Sequence, residues 1–342
     1  MIKKRTAGVA KPRAGRPRVS EIRVRNEPHC DSARCALSDA DRVISATRRP
    51  PAGEEFSHLP PELAGLEPGA KKASSSGRVC GLIGGVIHPS AIISPQAKLG
   101  RNVRVGPYCI IGPNVELGDE CVLHSHVIVE GSSKIGCGNE FFPFAMIGGR
   151  TQDLKYLGEP TYLEVGDHNV FRENSTVHRG TTAEVPTRIG SHNYFLCYAH
   201  VAHDCQLGDH IILSNNATLG GHVTVDDYAI LSGLCAVHQF NRIGRHSIIG
   251  GLSKVQQDVP PFMIVDGNPP ATRGLNLVGL QRRGFPEDDI RALKSAYKKL
   301  FLKKDTNLAM GLSSLKATHA ASVPQVAHLI HFIESSQRGV TR

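Results

Sequence analysis

The sequence predicts a mainly β protein, a parallel β-helix of hexapeptide repeats followed by a C-terminal α-helical domain. Two observations carry this reading. A large apolar residue returns every six positions from Ile87 to Val255, and only Asp153, Glu159 and Ala183 break the rule. Beyond Pro260, Pro261, Pro269 and Pro270 that period stops, and apolar residues fall at helical spacing instead. A period of six fits neither the turn of an α-helix nor the alternation of a free-standing strand, and it is a signature of parallel β-helices.

Each hexad reads as one short strand and a corner. The large residue fills the interior. Four positions later a small residue, as at Ala91, Ala97, Val103, Cys109, Val115, Cys121, Ala199, Cys205, Ala217 and Cys235, also points inward and fits the tight turn. Cys109, Cys121, Cys205 and Cys235 are thereby core residues rather than reactive thiols. The nine cysteines lack the paired short spacings of a disulfide framework or a zinc ribbon. Gly100, Gly106, Gly112, Gly118 and Gly136, each just after an apolar repeat residue, are expected to supply unusual backbone angles at corners.

Three hexads make one triangular coil of 18 residues, and coils stack at the strand spacing of about 4.8 Å. The β-helix is expected over residues 84–268. Two interruptions of the pattern, about residues 149–164 and 180–187, read as loops thrown out from the prism, where function commonly resides. Over residues 271–342, Ile290, Leu293, Tyr297, Leu300 and Phe301 share one helical face behind a favourable start at Pro286, Glu287, Asp288 and Asp289. A second helix gathers Val326, Leu329, Ile330 and Ile333.

The formal net charge of +9 sits mostly at the front: residues 1–86 hold 16 Lys+Arg against 9 Asp+Glu, and residues 87–342 hold 24 against 22. The body is nearly neutral, and its aromatic residues are not interleaved with basic ones, so a nucleic-acid platform is excluded. No apolar stretch approaches the roughly 18–20 residues that span a bilayer. Residues 1–80 read as a basic leader. Lys3, Lys4, Arg5, Lys11, Arg13, Arg16 and Arg18 precede the first acid at Glu21, which suits an organellar transit peptide with a mitochondrial destination. The alternative is a disordered basic extension of a cytoplasmic protein, or a wrongly assigned start.

The 18-residue coil turns spacing into geometry. His203, Gly221 and Gln239 stack in one column, His222 lies one residue beyond and one coil above His203, and His200 and His238 fall nearby. Polar groups in a repeat that needs none of them can meet at one reacting centre. His178 and His246 read as structural histidines.

The segment Ala199-His200-Val201-Ala202-His203-Asp204-Cys205 resembles the "AHIAHDC" motif of the bacterial UDP-N-acetylglucosamine acyltransferase family. The resemblance continues through Gln152 to Thr161, His178 to Thr181, Asn215 to Val223, Ala236 to Phe240, Gln257 to Pro261 and Arg282 to Phe285, covering residues 87 to about 342 in order. It implies a left-handed winding, against the usual right-handed crossover rule, and a homotrimer. It also implies transfer of a 3-hydroxyacyl chain from acyl-carrier protein to the 3-hydroxyl of UDP-N-acetylglucosamine, opening lipid A-type synthesis, with no cofactor and no metal. His203 takes the general-base position, Asp204 adjoins it, and the Gly221 N–H matches the oxyanion donor. Because consecutive strand residues face opposite ways, contact between His203 and Asp204 is not assured.

The same resemblance implies that Gln152, Asp153 and Lys155 meet the sugar and its phosphates. His200, His222, His238, Gln239, Asn268, Arg282 and Arg283 correspond to nucleotide-sugar and acyl-carrier contacts, and Gly251 to a small position admitting a longer acyl chain. The chain departs from the family pattern at Leu196-Cys197-Tyr198 and at Gly220, which bears on chain preference more than on reaction type. The basic run Arg282, Arg283, Arg291, Lys294, Lys298, Lys299, Lys303 and Lys304 suits an acidic carrier or a solvated helix face.

Other classes compete. A zinc enzyme resembling gamma-type carbonic anhydrases would gather three histidines around the ion. A non-catalytic β-helix scaffold would have no use for the His203, Asp204 and Gly221 set. The sibling N-acyltransferase of the pathway carries an N-terminal sugar-binding domain, which the Pro-rich basic leader does not resemble.

Overall fold

The computed structural model describes residues 86–302 and 307–342. The basic leader, residues 1–80, and Lys303 and Lys304 lie outside them. The hexads form a parallel β-helix with three flat faces. Among the described residues the first face holds nine strands from Ile92–Ile93 to Lys254–Val255, and the second holds eight from Lys98–Leu99 to Arg242–Ile243. The third runs from Arg104–Val105 to Met263–Gly267 and ends on an antiparallel tenth strand, Pro270–Leu275, so this sheet continues past residue 268. Pairing follows the 18-residue coil: His200 aligns with Thr218 and Thr218 with Ala236.

The large apolar residues form one continuous core. Phe141, Phe171 and Phe195 stack inside it with ring centroids 5.0 and 4.7 Å apart, and each fully buried side chain of this size contributes about 1.5–3 kcal/mol. The small positions also point inward: Cys109, Cys121, Cys205 and Cys235 are buried, and burial pushes the Cys205 and Cys235 thiols up to about 12. Inert core thiols are what the pattern predicts.

The glycine expectation needs correction. Gly100, Gly106, Gly112, Gly118 and Gly136 do not adopt left-handed angles; those fall on other corner residues, such as Asn102, Tyr108 and Glu120. The reason for glycine is the next coil. A Cβ on Gly118 would stand 2.6 Å from the backbone of Gly136, and one on Gly106 2.6 Å from the carbonyl of His124. Close stacking, not dihedral freedom, selects the residue.

Side chains at the left-handed positions stack outside the prism. His168, His192, His210, Tyr228, His246 and Phe262 form one such column, with ring centroids 4.6–5.9 Å apart. His246 is thus structural, as read from the sequence. The sequence pattern did not reveal the buried ladder Asn139, Asn169 and Asn193. Each side-chain oxygen accepts from the backbone N–H of the following coil, and the last, on Asn193, accepts from Ile211.

The helical segment packs a second core. α1 (Leu277–Arg282) was not expected. α2 (Glu287–Tyr297) starts behind Pro286 with Glu287, Asp288 and Asp289 in its first turn, and it buries Ile290, Leu293 and Ala296. α3 (Leu308–Lys316) was also missed, because a single buried leucine leaves little pattern, whereas α4 (Pro324–Glu334) buries Val326, Leu329, Ile330, Phe332 and Ile333 as expected. No described helix is long and apolar enough to cross a membrane.

Burial lowers His246 from 6.5 to about 4, reinforced by Arg283, Arg245 and His328 and opposed by Asp227. The unfolded chain therefore binds a proton between those values that the folded chain refuses. This group's contribution is present above pH 6.5 and is lost as pH falls toward 4. His246→Phe should flatten the decline of the urea midpoint across that interval; an unchanged slope would contradict the assignment.

Candidate active site

Both interruptions of the repeat leave from one corner, where the first face turns into the second. Residues 150–161 join Met146–Gly149 to Tyr162–Val165, and residues 179–186 join Thr176–His178 to Thr187–Ile189. On the next three coils the same corner carries His203, Gly221 and Gln239, the column expected from the 18-residue spacing.

At this corner His203 and Asp204 do meet. Nδ1 of His203 lies 2.8 Å from Oδ2 of Asp204. The strand argument fails because the pair sits in a turn, where Asp204 adopts φ +59° and swings its carboxylate under the imidazole. The Asp204 side chain is only 4 % exposed and that of His203 13 %. Burial alone would push the Asp204 carboxyl up, but hydrogen bonds from His203 and Thr181 outweigh it and hold the group below its ordinary range. With Nδ1 engaged, Nε2 of His203 is left for the cleft.

That cleft encloses about 690 Å³ and is lined by Gln152, Asp153, Lys155, His200, His203 and Gln239, together with Leu154, His178, Ala202, Thr218, Leu219 and Gly220. The first loop is set by short local bonds: Asp153 Oδ1 accepts from the Lys155 N–H at 2.9 Å, and Thr151 Oγ1 accepts from the Asp153 N–H at 3.1 Å. His200 holds Thr176 Oγ1 at 2.7 Å through Nδ1 and meets His178 edge-on at 4.8 Å. His178, read from the sequence as structural, is buried but also walls the cleft. Its burial, with His200, His203 and Arg179 nearby, lowers it to about 4, and burial lowers His200 as well. Both are neutral at pH 7.

The remaining expected residues do not share this cleft. His222 does not line it; its Nε2 is 3.5 Å from Asp204 Oδ2 and its ring stacks on Phe240 at 4.5 Å. His238 is exposed beside it, near Arg338 at 3.4 Å. Gly251 stands at another corner, above Gly233. Asn268, at the tip of the last hairpin, is at that corner too, since the adjoining Gly267 N–H donates to Ser253. Arg282 is exposed at the end of α1, and Arg283 lies over the Tyr228 ring at 4.8 Å, on the third corner.

His203, Asp204 and His222 bring ligand atoms within 4.8 Å of one another, as a metal site would. Zinc ligands stand about 2.0–2.3 Å from the ion and so more than 3 Å apart. Here the 2.8 Å separation of His203 from Asp204 is a hydrogen bond, and both Asp204 oxygens also accept from Thr181. The set is a hydrogen-bonded imidazole–carboxylate pair with a second imidazole beside it, not a zinc shell.

A family model described as UDP-N-acetylglucosamine O-acyltransferase, domain 2, matches residues 258–341, and one for bacterial transferase hexapeptides matches residues 96–131. The acyl-[acyl-carrier-protein]–UDP-N-acetylglucosamine O-acyltransferase of Verminephrobacter eiseniae is 46 % identical over 75 % of this chain and 99 % of its own length. The enzyme of the same name from Stutzerimonas stutzeri is 47 % identical over the same shares. The crystal structure of a UDP-N-acetylglucosamine acyltransferase from Bacteroides fragilis superposes with a TM-score of 0.73 at 37 % identity, covering 75 % of this chain and all of that one.

Gly221 has a role that its place in the column does not disclose. A Cβ there would stand 2.4 Å from Cε1 and 2.6 Å from Nε2 of His203. Only glycine lets the imidazole lie against this corner. Gly221→Ala should displace the ring and slow any reaction using it by about 100-fold; a crystal structure of the variant with His203 unmoved would refute this.

Proposed function

The chain belongs to the UDP-N-acetylglucosamine O-acyltransferase family, and from that premise we propose the chemistry of its cleft: transfer of a 3-hydroxyacyl chain from acyl-carrier protein to the 3-hydroxyl of UDP-N-acetylglucosamine, the first step of lipid A-type synthesis. Its β-helix is of the left-handed class. The observation that carries the reading is the His203–Asp204 pair at a cleft that the Gln152 to Lys155 loop also lines.

A sugar hydroxyl is a weak nucleophile at neutral pH. His203 Nε2 takes its proton as the oxygen attacks the thioester carbonyl, while Asp204 at Nδ1 steadies the imidazolium. The Gly221 N–H is the donor to the oxyanion that forms. Collapse of the tetrahedral intermediate breaks the carbon–sulfur bond, and the imidazolium returns its proton to the carrier thiolate. No acyl-enzyme is required. Lys155 supplies positive charge for the diphosphate, and Gln152, Asp153 and Gln239 supply polar contacts for the sugar and nucleotide. His200 and His178, held neutral by burial, serve as hydrogen-bonding walls rather than as cations.

Residues assigned to the two substrates of one reaction occupy three corners of one prism. That scatter supports a homotrimer in which the His203 corner of one protomer faces the Gly251 and Asn268 corner, or the Arg283 corner, of its neighbours. Arg282, Arg291, Lys294 and Lys298 are exposed along the helical segment and suit an acidic carrier protein, although Arg291 also pairs with Asp288.

The basic leader is assigned to mitochondrial targeting. A reporter fused to residues 1–80 should enter mitochondria; a cytosolic reporter would place the enzyme in the cytoplasm. For the chemistry, the test is acyl transfer from 3-hydroxyacyl carrier protein to UDP-N-acetylglucosamine in metal-free buffer. His203→Ala should lower kcat by about 100- to 10,000-fold. An unimpaired variant would remove the base, and a wild-type protein inactive with every chain length would sink the acyltransferase reading.

A further inference from the structure

The second interruption of the repeat spends residues 179–186 on a crossing that residues 202–205 make on the next coil, three strands later. Its two ends converge on Asp204. At one end the Thr181 N–H donates to Asp204 Oδ1 at 2.9 Å, and Thr181 Oγ1 donates to Oδ2 at 2.7 Å. At the other end Thr187, fully buried, accepts the Asp204 backbone N–H on Oγ1 at 2.8 Å. The loop passes so near that a Cβ on Gly180 would stand 3.0 Å from Asp204 Oδ1 and 2.6 Å from the Val185 carbonyl.

Asp204 needs such a hold because two imidazoles compete for one of its oxygens. Oδ2 lies 2.8 Å from His203 Nδ1 and 3.5 Å from His222 Nε2. A carboxylate turning about its side-chain bonds could serve either ring, and only contact with His203 fixes the tautomer that leaves Nε2 as a base. The Thr181 hydroxyl binds the same oxygen and sets the plane of the carboxylate toward His203.

We propose that residues 179–186 are a clamp on the catalytic pair and that Thr181 is a positioning residue, acting through Asp204 on His203. The proposal rests on the reading of His203 as general base. It explains a loop that the repeat does not need, and it gives the hydroxyl of Thr181 a task that neither substrate contact nor packing supplies.

The test measures steady-state acyl transfer by the full-length Thr181→Val and Thr181→Ser proteins, each also in an Asp204→Ala background. Thr181→Val keeps the backbone bond and the side-chain shape but removes the hydroxyl. It should lower kcat about 10-fold or more while KM for UDP-N-acetylglucosamine stays within about twofold of wild type, and Thr181→Ser should restore most of the rate. In the Asp204→Ala background Thr181→Val should have no further effect, since the two residues act as one unit. Wild-type kcat in Thr181→Val, or an equal loss in both backgrounds, would overturn the clamp. Inactivity of His203→Ala beside a fully active Thr181→Val would sink the clamp alone, whereas an active His203→Ala would sink the general base with it.

Discussion

The molecule depends on one constraint, the register of each 18-residue coil on the next. Neighbouring coils approach so closely that several corner positions leave no space for a Cβ. Aspartates then lock the alignment: Asp119, Asp167, Asp209 and Asp227 each accept the backbone N–H of a corner in the preceding coil, at 2.6–2.9 Å. The buried asparagine ladder repeats the device inside the prism. A one-residue slip would break these bonds together and turn the core residues outward. The stack therefore behaves as a ruler, and side chains 18 residues apart are held in file.

The site uses that ruler. Ile147 and Val165 are 18 residues apart on adjoining faces, and Val177 and Ile189 are 12 apart, where the ordinary crossing takes six. Both insertions are whole multiples of the hexad, so the apolar period resumes in phase after each. Both also leave from the corner that carries His203 on the coil above them. The first brings Gln152 to Lys155 into the cleft, and the second reaches back to Asp204. Extra backbone is placed where chemistry needs it without disturbing the stack.

This explains what could be read in advance. Strand positions, the inward cysteines, the two loops and the column of His203, Gly221 and Gln239 all follow from a period, and periods are visible in a single sequence. Contacts set by turn geometry are not. The bond between His203 and Asp204 depends on a positive φ at an aspartate, and nothing in the residue types at 203 and 204 specifies it. Thr181 lies 23 residues from its partner across an insertion of irregular path. The corner glycines were assigned to the wrong cause because their constraint comes from a neighbouring coil. α1 and α3 were missed because each buries too few apolar residues to mark a face.

Environment distinguishes four histidines that composition cannot. His178 and His200 are desolvated and pushed toward neutrality, with no carboxylate to compensate. His222 is more open and shares Asp204 only at 3.5 Å. His203 alone combines a direct 2.8 Å bond to a buried carboxylate, a free Nε2 beside the cleft, and a glycine that leaves space for its ring. In the proposed reaction a protonated His178 or His200 would repel the proton transferred to His203. Keeping the walls neutral therefore leaves that proton to the residue that Asp204 faces, and the proposed separation of roles arises from burial and pairing rather than from residue type.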